Sequence, residues 1–485
     1  MRTHSRQVLG VALLILFFAL GNTAFASADS WAANPSASVR FDSAFAVKTQ
    51  DGRGQKFHNT LSGEFLFDPT PNLQIVARLR INTEALDNLD PGSFIDSSYA
   101  PGTNPASPGR VTEIENRELF IQWSRGPVRI RAGKQQLVWG EADGIKVLDI
   151  LNPQDFREYI LPDFSESRIP LWAVSFDVDF GGSGFADFMP EGSSFQVVFI
   201  PDPSVHQVPD IENLGGDPDA PYAPTSERIV PRPPSQFASA VDFQATQENQ
   251  KWKPSKFDVG ARVTLPVGRV DTALYYFWKI DDFPVIAYGP ASIQLDGTRL
   301  FLAVPVSLEY RRYHMAGAST SAAIGDWVIR TEFSYTFGRN LSSLYVVPPS
   351  VINDPNDQVD ESDDVAWVVG LDWFGFSDTL LSMQVFQNIV VQHNDLMLRR
   401  EVETAITFFA QRKFMNDRLS AELMLIQGVN DGDGLVRPRL EYEWTDSFSS
   451  WVAGDVFYGT RDGYFGQYDS NDRVVFGISV GWTSD

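Results

Sequence analysis

Residues 437–444 sort strictly by parity: Pro438, Leu440, Tyr442 and Trp444 are apolar or aromatic, while Arg437, Arg439, Glu441 and Glu443 are charged. Successive side chains leave a pleated backbone on opposite sides, so a period of two marks a strand with one apolar and one polar face. The pattern recurs along the chain. In 269–281, Val270, Thr272, Leu274, Tyr276, Trp278 and Ile280 alternate with Arg269, Asp271, Ala273, Tyr275, Phe277, Lys279 and Asp281. In 327–337, Ile329, Thr331, Phe333 and Tyr335 oppose Val328, Arg330, Glu332, Ser334 and Thr336, and 73–84 carries Gln74, Arg78, Arg80, Asn82 and Glu84 on its polar face. About 18 strands of roughly 9 to 13 residues fit the chain, with about 16 as the alternative count; both are long enough for tilted membrane spans.

A soluble sandwich also alternates, so the direction of the apolar face has to be argued. Trp123, Trp327, Trp373, Trp444 and Trp451 stand at strand ends beside short turns. That is where a lipid-facing strand meets the headgroup layer. Short links such as 125–127, 266–268 and 415–417 alternate with long ones such as 87–112, 201–252, 341–363 and 460–472. The parity predicts short periplasmic turns, long external loops and both termini in the periplasm. In the last strand Val474, Phe476, Ile478, Val480 and Trp482 point outward. Backbone groups in lipid must pair internally, so such a sheet must close. The predicted fold class is all-β: one transmembrane antiparallel β-barrel over residues 27–485.

The first 26 residues read as a cleaved export signal, with Arg2 and Arg6, an apolar run over 8–20, and Ala24-Phe25-Ala26 as the cleavage site. The predicted location is therefore the bacterial outer membrane, in contact with its lipids and lipopolysaccharide. With no cysteine, the chain has neither a disulfide framework nor a thiolate metal site. A net charge of −23 argues against a nucleic-acid partner. The histidines are scattered without metal-ligand spacing, and neither the acidic run 354–364 nor Asp431-Gly432-Asp433-Gly434 matches an EF-hand loop. No metal, cofactor or catalytic residue is assigned, and the chain is read as a non-enzyme. The segment 201–252, rich in Pro, Asp and Ser, is a long external loop or a lid, and its composition favours a mobile loop.

Two sets of residues are candidates for function. Parity turns Arg129, Arg131, Arg262, Arg269, Asp271, Arg330, Glu332, Arg437, Arg439, Glu441 and Glu443 toward the lumen. They either keep a water-filled interior salt-bridged or generate a transverse field that selects polar or anionic solutes. The second set lies in 141–164, where the period of two stops after Trp139 and Gly140. Asn152 as N-cap, Pro153 at N1 and Asp155 near N3 predict a short helix through Ile160, ended by Pro162. Val147, Leu148, Ile150, Leu151, Phe156 and Ile160 need a wall, because apolar surface left in water costs about 25 cal/mol for each Å². The nearest wall is the barrel's inside, so the insert is expected to constrict or plug the lumen; a cap on the rim is the alternative. The candidate residues there are Trp139, Glu141, Asp143, Asp149, Asn152, Pro153, Asp155 and Arg157.

The stretch GKQQLVWGEADGIKVLDILNPQDFREYILPDFSESRIPLW resembles the proteobacterial outer-membrane family of unknown function DUF1302. The resemblance is carried by Gly133, Lys134, Gln135, Trp139, Gly140, Glu141, Asp149, Asn152, Pro153, Asp155, Pro162 and Pro170, with Lys134 where Arg is commoner. It implies an outer-membrane barrel often encoded beside a periplasmic lipid-binding-like protein and a resistance-nodulation-division (RND) type transporter. The function expected from it is transport of a hydrophobic or lipid-like substrate. A passive porin for small polar or anionic solutes, and a plugged structural or surface-interaction barrel, are the alternatives.

Overall fold

The computed structural model describes residues 35–484 except 87–97, 108–110, 143, 181–188, 210–219, 226–240, 248–249, 254, 291, 297–298 and 345–357. The expected export signal and Asp143 therefore lie outside the described residues. The first strands are β1 (Ser36–Lys48), β2 (Gly54–Thr70), β3 (Leu73–Glu84), β4 (Thr112–Arg125), β5 (Val128–Gln135), β6 (Leu171–Asp179), β7 (Ser194–Ile200) and β8 (Val241–Gln247). Next come β9 (Asp258–Val267), β10 (Val270–Ile280), β11 (Val285–Tyr288), β12 (Ser292–Asp296), β13 (Arg299–Glu309), β14 (Arg312–Ile324) and β15 (Trp327–Ser342). The chain continues through β16 (Val359–Trp373), β17 (Thr379–Val390), β18 (Val402–Phe414), β19 (Leu419–Gly428), β20 (Asp433–Thr445), β21 (Phe448–Tyr458) and β22 (Arg473–Ser484).

All of these except β8, β11, β12 and β13 form one 18-stranded sheet. Consecutive strands pair antiparallel, and β22 returns to β1 with Phe41 opposite Val480, so the sheet closes and leaves no edge. The other four strands make a small sheet outside the barrel ladder, built from the connections 201–257 and 281–311.

The alternation read from 269–281 is the barrel's inside–outside division. Leu274 and Tyr276 are 50% and 44% exposed, whereas Ala273, Tyr275 and Phe277 are buried. Ile121, Phe176, Phe333, Val369, Leu440 and Phe476 extend the exposed apolar band around the wall. A continuous apolar belt outside a charged interior is a surface for lipid, and the fold is a transmembrane antiparallel β-barrel. Trp327 and Trp373 stand opposite each other in the ladder and stack at 5.7 Å. Trp451 departs from the expected girdle. It pairs with Glu441, and its ring carries the Arg439 guanidinium at 4.3 Å, so it faces the lumen.

Short turns at 71–72, 126–127, 268–269, 325–326, 415–418 and 446–447 share one rim with both described chain ends. The connections 85–111, 136–170, 201–257, 281–311 and 459–472 share the other. The described parts of 201–252 are packed pieces rather than a free loop: Gln207 bridges Asp155, Tyr222 is fully buried, and 241–247 is β8.

Candidate functional site: the lumenal insert

Strand β5 stays in the ladder through Gly133, opposite Phe120 and Ala173, and ends at Gln135. Gly133 has φ 138°, and a Cβ there would come within 2.6 Å of the Phe120 Cα. After Gln135 the chain leaves the wall and does not rejoin it until Leu171. Between them, Leu137, Trp139, Val147, Leu148 and Leu151 pack into one core with wall residues of β6, β7, β10, β14, β16 and β17. Each buried side chain of this size contributes about 1.5–3 kcal/mol. The insert therefore lies in the lumen rather than on the rim.

Two glycines make room for it. Trp139 lies over Gly260, where a Cβ would meet its ring at 2.8 Å, and its Nε1 donates to Gln196 Oε1 at 2.5 Å. The Phe277 and Tyr275 rings flank it at 5.2 and 5.8 Å. A Cβ at Gly317 on β14 would collide with Leu148. Glycine inside a strand marks such close approaches, and this signal was available in the sequence.

Polar anchors fix the insert's first half. The Glu332 carboxylate on β15 accepts the backbone N–H groups of Glu141, Ala142 at 2.9 Å and Leu148 at 3.1 Å. Gly140, with φ 89°, lets the chain curl around it. Beside it, Arg330 donates to the Glu141 carbonyl at 2.6 Å while paired with Asp372 at 2.7 Å. Asp149 holds Arg168 at 2.5 Å and Lys146 at 2.8 Å. Burial lowers the Lys146 pKa to about 8, against the opposing pull of Asp149.

The helix expected at 153–160 is absent; the described helix of the insert is Phe164–Ser167. The reason is competition for donors. Phe156 N, which would bond to Asn152 O in that helix, donates instead to Gln207 O, while Asp155 N donates to Ser167 O, both at 2.7 Å. Asn152 does not cap a helix either. Its Oδ1 accepts from Leu137 N at 2.7 Å and its Nδ2 donates to Ile169 O at 2.8 Å, zipping the insert's two ends together. Next to it, Pro153 O accepts from Ile169 N at 2.8 Å.

The second half is anchored by charge. Arg157 bridges Asp155 at 2.7 Å and Glu113 of β4 at 2.6 Å. Glu158 meets Lys56 of β2 and Arg473 of β22, the latter at 3.0 Å. Burial pushes the Glu158 carboxyl up, but Lys56 and Arg473 outweigh it and hold the group below the usual carboxylate range. Tyr159, at φ 54°, sets its ring among Phe457, Phe465 and Tyr468. Two pieces of the 201–257 connection lock onto this region. His206 Nδ1 accepts from Gln154 N at 2.7 Å, and the Tyr222 carbonyl accepts from the Tyr468 hydroxyl at 3.2 Å.

Beneath the insert lies a cavity of about 1200 Å³, roofed by residues such as Asp155, Glu158 and Pro162 and walled by β1–β4 and β15–β22. Of the residues expected to line the lumen, Arg330, Arg437, Arg439 and Glu441 border this cavity. Arg437 pairs with Asp455 and Arg439 with Glu441, both at 2.8 Å. The others are elsewhere. Glu332 is buried beneath the insert, and the Arg262 guanidinium lies 5.5 Å from the Trp139 ring centroid. Arg131 donates to Gln122 at 2.7 Å, and Arg129 stands opposite Asp177 in the ladder. Arg269, Asp271 and Glu443 are exposed at the turn rim, outside the cavity lining. The wall cations therefore have scattered partners, carboxylates for Arg129, Arg330, Arg437 and Arg439, an amide for Arg131 and a ring for Arg262, rather than standing in a row facing a row of carboxylates. Lys56 and Arg473 escaped the sequence reading because nothing local says what crosses the barrel to meet them, whereas Gly260 and Gly317 were strand glycines whose signal went unread.

Acinetobacter baumannii OccAB4 is similar over 93% of this chain and 98% of its own, at 8% identity and a TM-score of 0.48. The Pseudomonas aeruginosa outer membrane protein OpdK is similar over 93% and 99%, at 9% identity and 0.47. OmpTdeltaL8 of Vibrio cholerae, also an outer membrane protein, is similar over 94% and 100%, at 10% and 0.38. No curated protein matches the chain. A family model described as a protein of unknown function, DUF1302, matches residues 48–484. That match takes in β2 to β22 and the whole insert, and the chain belongs to the DUF1302 family.

Proposed function

We propose that this barrel is an outer-membrane channel for water-soluble solutes, closed by the 141–164 insert and opened when the insert leaves its seat. One observation carries the reading: a polypeptide held in the lumen by polar anchors stands over a charged cavity of about 1200 Å³. A permanent filler needs no cavity beneath it, whereas a gate needs both a passage and anchors that exchange with water. The ion pairs on the wall favour a polar solute over the hydrophobic or lipid-like one that the family resemblance suggests. The apolar outer band makes outer-membrane lipid the surrounding solvent. A periplasmic lipid-binding-like partner and an RND-type transporter belong to the lipid version of the proposal, for which an apolar path through the barrel would be the supporting feature.

The test is single-channel recording from the purified barrel in a planar lipid bilayer, with and without residues 141–164. The proposal expects brief, rare openings from the full chain and a large steady conductance after deletion. Silence from both forms overturns it in favour of a plugged structural barrel.

A further inference from the structure

The charge on the insert is matched to the wall in a way that gating alone does not require. Residues 141–168 contain seven carboxylates and three bases. Two of these carboxylates cross to wall cations: Glu158 to Lys56 and Arg473, and Glu166 to Arg80 at 2.9 Å. Arg117 reaches over in the same way, donating to the Ser165 carbonyl at 2.7 Å.

The wall alone does not neutralise these cations. Arg473 shares Asp455 with Arg437, and Arg80 shares Glu115 with Arg117. Among the described residues, the ion-pair partner of Lys56 is Glu158. With the insert seated, the cavity is lined by ten bases and twelve acids, so acids are in excess by two. The insert supplies one of those bases, Arg157, and four of the acids, Asp155, Glu158, Asp163 and Glu166. The segment 141–164 holds that base and three of those acids, Asp155, Glu158 and Asp163, so removing it takes a net two negative charges from the lining. The lining becomes less negative, and the cations that meet the insert, Lys56, Arg80, Arg117 and Arg473, lie on β2, β3, β4 and β22 of the closed barrel.

We infer that the insert is a resident stand-in for an organic anion, and that the opened lumen admits solutes bearing two carboxylates, which exchange with Glu158 and Glu166 at Lys56, Arg473 and Arg80. This rests on the channel reading above and adds the substrate class. A dicarboxylate suits the site better than chloride because it carries the same two groups it would displace, Glu158 on Lys56 and Arg473 and Glu166 on Arg80. Such a solute would also compete directly for the anchors that hold the gate shut.

Succinate is the probe, in a planar bilayer, on the wild-type barrel, the 141–164 deletion and the E158Q/E166Q variant, which keeps the insert. Three results are expected. Reversal potentials under a salt gradient shift the deletion's preference toward anions relative to the wild type's rare openings, because the deletion removes a net two negative charges from the lining. Adding K56Q to the deletion lowers that preference. Succinate raises the wild-type open fraction above that in chloride of equal ionic strength, whereas E158Q/E166Q opens readily without succinate and responds little to it. A conducting deletion no more anion-selective than the wild type, or a wild type indifferent to succinate, overturns the anion inference and leaves the channel reading standing. Silence from every variant overturns both.

Discussion

Replacing Glu332 by alanine should unseat the insert while leaving the barrel intact. In the seated state the carboxylate accepts three backbone N–H groups, from Glu141, Ala142 and Leu148. Alanine leaves all three buried without an acceptor, at about 1–3 kcal/mol each. Water entering the vacated space recovers part of this, and the wild type already bears the cost of burying a carboxylate. A net shift of about 3 kcal/mol toward the open state is a fair central value. It corresponds to a change of about a hundredfold in the closed-to-open ratio. E332D keeps the charge one methylene short and should fall between, at about tenfold. Neither change removes a strand pairing, since the ladder runs through the backbone. The assay is open probability in single-channel records, with thermal loss of the far-UV β signal as the check on folding. Closed times for E332A equal to wild type, in a barrel that melts normally, would refute the assignment of Glu332 as the anchor.

Three further outcomes follow from the same geometry. G260V should push Trp139 off the wall at a cost of about 1–3 kcal/mol for overpacking, read as faster trypsin cleavage at Lys146 and Arg157. N152A should remove both zipping hydrogen bonds, about 1 kcal/mol each, and speed hydrogen exchange at the Leu137 amide by about tenfold; unchanged protection there would count against the zipper. For pH, the seated Lys146 has its pKa lowered from 10.5 to about 8. Between those values the released insert binds a proton that the seated one does not. Seating should therefore strengthen as pH rises from 8 to 10.5, by up to about tenfold per pH unit, and K146M should flatten the profile. An open fraction that rises with pH in this window would contradict the assignment.

Parity made much of the fold legible. Leu274 and Tyr276 sit outside and Ala273 and Tyr275 inside because the pleat allows no other sorting. The insert's place was legible for a different reason: Val147, Leu148 and Leu151 are too apolar for an external loop, and the barrel's inside is the wall within reach. What sequence reasoning missed depended on partners distant along the chain. A helix at 153–160 has its caps in order, yet Gln207 takes the Phe156 amide that would close its first turn. Parity turned Glu332 and Arg330 inward without saying that backbone amides and a carbonyl of residues 141–148 would meet them. It turned Arg269, Asp271 and Glu443 inward too, but could not show that their height places them at the turn rim. Trp451 sits near a strand end like the girdle tryptophans, and its register against Glu441 decides otherwise.

The central claim is that the lumen conducts only when the insert leaves the wall. A disulfide between Gly144→Cys and Thr407→Cys tests it most directly. A Cβ at Gly144 would lie 4.0 Å from that of Thr407, within the spacing a disulfide needs, and the chain has no other cysteine. The φ of 91° at Gly144 adds strain of about 1–2 kcal/mol, which the covalent bond overcomes. The account predicts a silent oxidised barrel that regains openings when a reductant is added to the same bilayer. Equal conductance in the oxidised and reduced states would contradict it.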